Sequence, residues 1–434
     1  MKILFIYPKF MKYLESFPGH VFAGAEYLNG YSYPPALAIA VLMAVTDDKH
    51  ECVFIDENIE EIDYGANVDV VAISFFTPQA GFAYHICSEF RKRGKLVVVG
   101  GVHPTVCQEE ASKYADIVCI GEGEKSWVQI LKDIEKGAWR KVYRQDTVTD
   151  PKTIPLPKRS AYYANTNKYD ILFDYLELSR GCNALCDSCV VPLVSGKKFR
   201  YKSIEKIVED VGTMGYPMCF ITDDVVYMPQ NKESRKYLVD VFNEIGRSGY
   251  GKNHGFYISS TAMYPPDAEL LSAMRFAGAT VSYFTFGFDP FSNSIMAGGH
   301  GKYWQMMVDQ ARRLQDAGLL LYAAFHLGFD DHTCAIKENI LEFCHEAGIT
   351  VAQFCMRMPW PGTIMWKRLN DDGRILHTDW TKYNGSNVVF IPKKMTAEQL
   401  ERIAVELWSE FSFNFHKLYK LQRTGVVANG SLNS

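Results

Sequence analysis

The sequence predicts an α/β protein with two parallel-sheet units followed by a helical C-terminal region. Short apolar runs rich in β-forming residues alternate with helical patterns along residues 1–136, and the same alternation returns along residues 171–375. A polar stretch with several prolines separates the two. Because buried parallel strands are apolar throughout and need helical crossovers, we expect a doubly wound sheet first and a partial (βα)6 barrel of the TIM type second.

The first unit contains five predicted strands, and in a doubly wound sheet ligands bind at the carboxyl ends of the strands. The strands are residues 3–7, 52–55, 68–74, 96–100 and 117–120, and the helices between them are residues 36–45, 79–93 and 124–135. The residues at or just after the strand ends include Ser74, Thr77, Gly100, Gly101, His103 and Glu122. The glycines either let a ligand approach the backbone closely or form a tight turn from strand to helix.

A linker is predicted over residues 137–170. It is polar and contains Pro151, Pro155 and Pro157, which do not continue helices. We therefore expect two separate folding units on its two sides.

Six strands followed by helical patterns are predicted in the second unit, residues 171–375. The strands are residues 175–179, 218–222, 257–260, 282–287, 319–327 and 351–356, with helices such as residues 232–246 and 303–317 between them. The active-site residues of such a barrel lie at the C-terminal ends of its strands.

The C-terminal region, residues 376–434, is predicted to be helical with one aromatic face. The residues of this face, spaced i, i+3, i+7 and i+10, are Trp408, Phe411, Phe415 and Leu418. The face packs on the barrel as core, or it forms the wall of a pocket for a bulky apolar substrate, to which Trp360 and Trp366 would add. Peripheral contact with a membrane is a third interpretation.

Three cysteines, Cys182, Cys186 and Cys189, follow the first predicted barrel strand, and no fourth cysteine follows at short spacing. Three thiolates on one loop can hold three irons of a 4Fe-4S cluster and leave the fourth iron open for a further ligand. A structural zinc site is the alternative, but it normally needs four Cys or His ligands, and the nearest later histidine is His254. The other cysteines mostly lie in apolar stretches and are interpreted as core thiols.

The composition is that of a large globular protein and excludes several classes of function. The chain has 434 residues, of which 47% are hydrophobic and 22% charged, and its net charge is -4. This balance creates no global field that would recruit nucleic acid. The chain begins with a predicted strand rather than a leader, and its longest apolar helical run, residues 34–45, is shorter than the ~20 residues that cross a bilayer. We therefore expect a cytoplasmic protein in a reducing compartment.

Six further segments accompany the cysteine motif, and together they resemble those of radical S-adenosylmethionine enzymes with an N-terminal cobalamin-binding-type domain. The segments are Tyr33-Pro34-Pro35-Ala36-Leu37, Gly100-Gly101-Val102-His103-Pro104-Thr105, Ile120-Gly121-Glu122-Gly123-Glu124, Thr222-Asp223-Asp224, Phe286-Gly287-Phe288-Asp289 and Met358-Pro359-Trp360-Pro361-Gly362-Thr363. Within that class the chain is most similar to the group of the anaerobic Mg-protoporphyrin monomethyl ester cyclase and related methylases and lipid-modifying enzymes.

The resemblance implies that S-adenosylmethionine chelates the open iron and is cleaved reductively to a deoxyadenosyl radical. Asp223 or Asp224 would then accept hydrogen bonds from the methionyl ammonium, although a capping or solvated pair is the alternative. Asp289 would bind the ribose hydroxyls, or it begins an Asp-Pro turn. The loop from Pro359 to Thr363 would help to enclose the adenine, or it is a rigid turn.

Two departures from the family pattern affect the cofactor contacts. Ser188 precedes the third cysteine, where an aromatic residue is common. The first unit also lacks the Asp-x-His-x-x-Gly signature whose histidine binds cobalt, although Ser74 and the Gly100-Gly101 pair match the two other cobalamin signatures.

We therefore expect cobalamin without an axial histidine, or a domain that kept the fold and lost the ligand. The same resemblance implies Thr77, His103 and Glu122 as further cobalamin contacts. His20 is a candidate axial ligand, with a surface loop histidine as the alternative.

These observations predict an enzyme that abstracts hydrogen from a poorly activated carbon of a bulky or apolar small molecule. With cobalamin the expected reaction is C-methylation; without it, ring closure, C-C coupling or oxidation. A reductant such as flavodoxin or ferredoxin is the expected protein partner. An iron-sulfur redox protein without substrate turnover is the alternative from a different class.

Overall fold

The computed structural model describes residues 1–12, 15, 32–145, 147–184, 186–223, 232–252, 254–261, 266–286, 289, 291 and 302–423. Two residues named above as candidate ligands, His20 and Asp224, lie outside this part of the chain. The side chain of Phe415 does so too.

The first sheet is parallel throughout and has six described strands in the order β2-β1-β3-β4-β5-β6. The chain reverses its direction of progress across the sheet between β1 and β3, so a topological switch point lies at their carboxyl ends. At this edge Ser74, the last residue of β3, is in register with Gly100, the last of β4. The strands are β1 Lys2–Tyr7, β2 Glu51–Asp56, β3 Val70–Ser74, β4 Leu96–Gly100, β5 Ile117–Ile120 and β6 Val142–Arg144.

Helices cover both faces of this sheet, which confirms the predicted doubly wound fold. Alternate strand residues enter two separate cores, with Ile73 and Phe90 in one and Phe5 and Trp127 in the other. The helices are α1 Ala38–Val45, α2 Ala80–Lys92, α3 Val102–Val106, α4 Gln108–Tyr114 and α5 Glu124–Glu135.

The segment that was predicted to be a linker contributes to the fold. Strand β6 pairs with β5, and a short helix, α6 Ser160–Tyr163, follows. Arg159, just before this helix, is buried and donates to Asp210 at 2.6 Å, while the Tyr162 ring packs on Phe54 at 5.0 Å. These contacts hold the segment against both units, so it is a packed connection and not an extended tether.

The second sheet also has six parallel strands, in the order β14-β13-β12-β11-β10-β7. Its two outer strands, β7 and β14, do not pair with each other among the described residues, so the barrel is partial, as predicted. A separate antiparallel pair, β8 with β9, follows β7. The strands are β7 Phe173–Leu176, β8 Ser179–Arg180, β9 Arg200–Tyr201, β10 Met218–Ile221, β11 Gly255–Thr261, β12 Ala279–Thr285, β13 Leu320–Leu327 and β14 Val351–Met356.

Helices pack on the outer face of the second sheet. The described helices are α7 Val191–Val194, α8 Ile204–Gly212, α9 Lys232–Ser248, α10 Ala268–Ala277, α11 Lys302–Asp316, α12 Ile336–Ala347, α13 Ile364–Asp371 and α14 Ala397–Arg423. No helix in the described part of the chain combines the length and apolar character that crossing a membrane requires.

The C-terminal helix α14 packs on strand β14, which supports the core interpretation of its aromatic face. Trp408 donates its indole N–H to the carbonyl oxygen of Phe354 at 3.1 Å, and its ring lies 5.6 Å from the Phe354 ring. Phe411 lies 5.4 Å from the same ring, and Leu418 is fully buried. These side chains therefore pack into the interior of the protein.

Candidate active site

The three cysteines lie on one loop that leaves strand β8 at the carboxyl edge of the barrel. Cys182 is buried, Cys189 is half-buried and Cys186 is exposed. The Cys182 backbone N–H donates to the Gly196 carbonyl oxygen at 3.2 Å. Gly181 has φ +83°, and a Cβ on it would stand 2.3 Å from the Lys198 carbonyl oxygen, so only glycine fits this close approach.

The donor set of this loop fits a cluster better than a single ion. The sulfurs of Cys182, Cys186 and Cys189 do not all lie within 4.8 Å of one another, and no described histidine or carboxylate joins them in such a compact group. Four ligands around one zinc ion would have to meet that closely, whereas a 4Fe-4S cluster binds each thiolate through a different iron.

An ion pair anchors the cysteine loop to the last strand of the barrel. Asp187, between the second and third cysteines, accepts from the Arg357 guanidinium at 2.5 Å, and Arg357 directly follows β14. The Asp187 carbonyl oxygen also accepts from the Met365 N–H at 2.8 Å. The Arg357 guanidinium in turn stacks 4.2 Å over the Phe329 ring. The loop therefore spans the gap between the first and last strands of the partial barrel.

A network of charges ties the opposite side of the loop to the first unit. Arg180, two residues before Cys182, pairs with Glu124 at 2.7 Å, lies 3.6 Å from Glu122 and pairs with Glu177 at 2.7 Å. Arg200 pairs with Glu122 at 2.7 Å. The Glu122 side chain is 5% exposed. Its contacts are with these two arginines and with the Thr149 N–H, and they turn the residue toward the barrel.

Asp223 is buried at the end of β10 and binds the strand that carries the cysteine loop. One carboxyl oxygen accepts from the Leu178 N–H at 2.6 Å, and the other accepts from the Ser179 hydroxyl at 2.5 Å. Burial raises the pKa of Asp223 to about 7. Both carboxyl oxygens of Asp223 therefore hold the chain at the start of β8 in place. These are the contacts that the structure shows for Asp223, which the sequence predicted to bind S-adenosylmethionine.

The two remaining predicted S-adenosylmethionine contacts lie at neighbouring strand ends. Asp289, after β12, lies 3.0 Å from the His332 ring nitrogen Nε2 and accepts from the Phe291 N–H at 3.1 Å. Pro359, after β14, is buried. In the loop that follows, Thr363 caps helix α13 by accepting from the Trp366 N–H at 3.1 Å.

The inner face of the barrel is aromatic, with a few polar groups. Tyr322 donates to the Gln353 side chain at 2.6 Å, and Gln353 donates to the Tyr283 hydroxyl. Four residues after Tyr322, and so on the same face of β13, His326 is exposed in a strand whose other residues are buried. His326 is accessible to solvent but is surrounded by barrel atoms, and this desolvation, followed by the charge of Arg357, lowers the pKa of His326.

The predicted cobalamin contacts meet at the carboxyl edge of the first sheet. His103 is fully buried, and its two ring nitrogens lie 3.2 Å from the Thr77 hydroxyl and 3.0 Å from the Tyr84 hydroxyl. Burial lowers the pKa of His103 to about 4. Gly101 has φ +100°, and a Cβ there would lie 2.8 Å from the Phe75 carbonyl oxygen, so protein neighbours account for this glycine.

At this edge the imidazole of His103 is enclosed by protein. Phe76, after Ser74 and β3, is 43% exposed, and Tyr33, near the ends of β1 and β2, is 49% exposed. Cobalamin without an axial histidine stays a prediction, because His20 lies outside the described residues.

Sequence reasoning missed Arg180, Glu124, Asp187, Arg357 and His326. Two signals were available: Asp187 lies inside the cysteine motif, and Arg357 and His326 lie at or beside the carboxyl ends of predicted strands. The pairings themselves join residues far apart in the chain, such as Asp187 and Arg357 at a separation of 170 residues.

Comparisons with known proteins agree with this architecture. The model of the B12 binding domain family matches residues 28–131, which lie within the first unit. Bacteriochlorophyllide d C-12(1)-methyltransferase of Chlorobaculum tepidum is 27% identical, over 79% of this chain and 74% of that protein. The anaerobic magnesium-protoporphyrin IX monomethyl ester cyclase of Cereibacter sphaeroides is 22% identical, over 92% of this chain and 68% of that protein.

Solved structures of one protein share the fold of most of the chain. These are structures of the radical S-adenosylmethionine methyltransferase TsrM from Kitasatospora setae. The structure with tryptophan and an S-adenosylmethionine analogue matches with TM-score 0.65 at 16% identity, over 86% of this chain and 76% of that one. The structure with cobalamin and a [4Fe-4S] cluster matches with TM-score 0.63 at 15% identity, over 95% and 85%. The comparisons confirm the resemblance to radical S-adenosylmethionine enzymes with a cobalamin-binding-type domain.

Proposed function

We propose that this chain is a cobalamin-dependent radical S-adenosylmethionine methyltransferase that methylates a carbon of a bulky, largely apolar small molecule. One observation carries the proposal: a loop with three cysteines, with no fourth ligand beside them among the described residues, lies at the carboxyl edge of a partial barrel whose neighbour in the same chain matches the B12 binding domain family. When bound, the reduced cluster with S-adenosylmethionine supplies a deoxyadenosyl radical, and methylcobalamin supplies the methyl group.

The residues of this chain bind the cofactors, orient them and shield the reaction from water. Cys182, Cys186 and Cys189 supply thiolates to the cluster, and Asp187 with Arg357 keeps their loop across the open side of the barrel. A cavity that excludes water protects reactive intermediates from side reactions. We propose the reducing cytoplasm as the location, which suits eleven cysteines that form no disulfide among the described residues.

We infer a substrate with a large apolar ring system from the aromatic side chains of the inner face of the barrel. Tyr283 and Tyr322 pack at 5.4 Å, and Phe220 stacks on Tyr257 at 5.9 Å. The Tyr322–Gln353–Tyr283 chain adds hydrogen-bonding groups that can orient a polar substituent of the substrate. The relative from Chlorobaculum tepidum is by name a bacteriochlorophyllide methyltransferase, and a tetrapyrrole is one substrate of the proposed class.

The experiment that tests this proposal measures the products of two S-adenosylmethionine molecules. The protein is reconstituted with iron and sulfide without oxygen, reduced with titanium(III) citrate, and given S-adenosylmethionine with and without methylcobalamin. We expect deoxyadenosine from the wild type, and S-adenosylhomocysteine that depends on added cobalamin when a substrate is turned over. Cys186→Ala should form neither product, whereas Cys334→Ala, which removes an exposed cysteine outside the loop, should form both.

Two results would contradict the proposal. If the reconstituted wild type forms no deoxyadenosine, the assignment of the chain as a radical S-adenosylmethionine enzyme is wrong. Deoxyadenosine together with a cyclised, unmethylated product would favour ring closure, the second candidate. That candidate is favoured by the match of the magnesium-protoporphyrin cyclase to 92% of this chain.

A further inference from the structure

Three contacts join the cysteine loop and its neighbouring residues to other parts of the fold. Before the first cysteine, Arg180 is held by Glu124 of the first unit at 2.7 Å. Beyond the second cysteine, Asp187 is bound by Arg357 at 2.5 Å. After the third, Leu193 in helix α7 contacts the turn at Gly362. These contacts fix the position of the loop, and Cys186 within it is exposed.

Next to the first cysteine the protein surface has an open cavity of about 390 Å³. Asn183, the residue after the first cysteine, lines this cavity and is exposed. The residues that line it are Lys152, Asn183, Lys197, Lys198, Phe199, Arg200, Tyr201 and Glu233. The cysteine loop therefore borders this concave, solvent-open surface at Asn183.

The segment of residues 195–199, between helix α7 and strand β9, joins this surface directly to the first cysteine. Its Gly196 carbonyl oxygen accepts the Cys182 N–H at 3.2 Å. The Lys198 carbonyl oxygen would stand 2.3 Å from a Cβ on Gly181, so the two backbones are in close contact. A group that binds against this segment lies one backbone layer from a cluster thiolate.

Three exposed lysines give this surface its charge. Lys152, Lys197 and Lys198 have no carboxylate within 4.0 Å among the described residues, whereas the Arg200 guanidinium is paired with Glu122. Glu233 is the one acidic residue in the lining, and it has interactions of its own. The ammonium groups are therefore available to carboxylates of another molecule.

We propose that this lysine surface, Lys152 with Lys197 and Lys198, docks an acidic one-electron carrier protein that reduces the cluster. The inference rests on the proposed function, because only a redox cluster at the cysteine loop needs such a partner. In the transfer the carrier loses one electron and the cluster gains it, and no proton or group moves. Complementary charge favours this partner because it steers encounter and fixes orientation more than it adds affinity.

The test compares two double variants that change the net charge equally. Lys197→Glu with Lys198→Glu reverses the lysine surface, and Lys132→Glu with Lys136→Glu reverses two exposed lysines in the last turns of helix α5 and just beyond it. That end of α5 points away from the carboxyl edge of the first sheet, where the cysteine loop lies. Anaerobic stopped-flow absorbance follows cluster reduction by a fully reduced flavodoxin of net negative charge, and separately by titanium(III) citrate.

We expect the flavodoxin-driven rate of the Lys197/Lys198 variant to fall about ten-fold or more at low salt, with the control variant within about two-fold of wild type. Raising the salt should slow the wild type and narrow the difference, because exposed charges are screened. Rates with titanium(III) citrate should be equal for all three proteins. Lys152→Glu, whose backbone does not touch the cysteine loop, should repeat the loss in part.

The docking proposal is overturned if titanium(III) citrate supports deoxyadenosine formation while the flavodoxin-driven rate is the same in the wild type, in Lys152→Glu and in the Lys197/Lys198 variant. Equal slowing by both reductants in every lysine variant would also overturn it, since that pattern indicates a damaged cluster. Failure of the proposed function looks different: the wild type then forms no deoxyadenosine with either reductant.

Discussion

His103 is a buried imidazole that the fold keeps neutral. Its ring nitrogens lie 3.2 Å from the Thr77 hydroxyl and 3.0 Å from the Tyr84 hydroxyl, and the Trp380 ring packs on it at 5.4 Å. Burial lowers the pKa of His103 to about 4. In the unfolded chain a histidine titrates near pH 6.5.

A loss of stability at acidic pH follows from this difference. As the pH falls from about 6.5 towards 4, the unfolded chain binds a proton that the folded chain does not, so the free energy of unfolding decreases by up to about 3 kcal/mol. The stabilising contribution is complete above pH 6.5 and is lost below it. The melting temperature of the wild type should therefore fall between pH 7 and pH 5 more steeply than that of His103→Gln.

His85→Gln provides the control for this measurement, because His85 is exposed on helix α2 of the same unit. Its melting temperature should follow the wild type at each pH. If His103→Gln follows the wild type as well, the titration of His103 contributes nothing to acid sensitivity.

The sequence identified residues whose partners are close in the chain and missed those whose partners are distant. The spacing of Cys182, Cys186 and Cys189 is visible because all three act from one loop. Asp223 was predicted at the correct strand end, but its contact with the Ser179 hydroxyl depends on how two strands meet. Glu122 was assigned to cobalamin from its place after β5, whereas its pairing with Arg200 requires the second unit to be in position.

At the scale of elements, the cysteine loop and strand β14 meet through one ion pair. Asp187 and Arg357 are partly buried, with side chains 33% and 11% exposed. A charge-assisted hydrogen bond in such a site is stronger than one at the surface. We expect Asp187→Asn to loosen the loop across the open side of the barrel and to slow deoxyadenosine formation roughly ten-fold, which corresponds to about 1.4 kcal/mol.

This prediction is checked by three measurements on the reconstituted protein: iron content, the electron paramagnetic resonance signal of the reduced cluster, and the rate of deoxyadenosine formation. Asp371→Asn, which removes a surface pair with Lys367 on helix α13, is the matched control and should leave the rate unchanged. A wild-type rate and signal in Asp187→Asn would mean that the pair does not hold the loop.

Some strand boundaries could be predicted from the periodicity of the sequence, and others could not. The long strands β13 and β14 were predicted within a residue because their buried patterns are extended. Strand β6 has three residues, of which only Tyr143 is buried, so it carried no pattern and was included in a linker. The predicted strand 175–179 is divided because β8 leaves the barrel to pair with β9.

At the scale of the whole molecule, the two units are joined by a balanced set of buried charges. Three carboxylates, from Glu122, Glu124 and Glu177, face three cations, from Arg180, Arg200 and Lys202. Their side chains are 17% exposed or less. The fold of each unit could be predicted from the periodicity of its own sequence. A charged residue, however, is interpreted as a surface residue when the sequence does not show which partner covers it. The relative placement of the units was therefore not predictable.

Removing one charge from this set leaves a cation without its partner inside the interface. Glu122 accepts from the Arg200 guanidinium at 2.7 Å and 3.1 Å, so Glu122→Gln leaves Arg200 with a neutral amide at this position. Breaking a buried ion pair by removing one partner typically costs about 3–5 kcal/mol. We expect the melting temperature of the protein to fall by several degrees, or the barrel and the first sheet to unfold in separate steps.

Glu135→Gln is the matched control, because it removes a carboxylate of the same unit from an exposed pair with Lys49 at 2.7 Å. Such a pair contributes about 0–1 kcal/mol, so this variant should melt with the wild type. Differential scanning calorimetry distinguishes the outcomes. Because Arg180 lies two residues before Cys182, a loosened interface should also expose the cysteine loop, and iron content after reconstitution should fall in Glu122→Gln alone. Equal melting and equal iron content in the two variants would mean that the units are held together by other contacts.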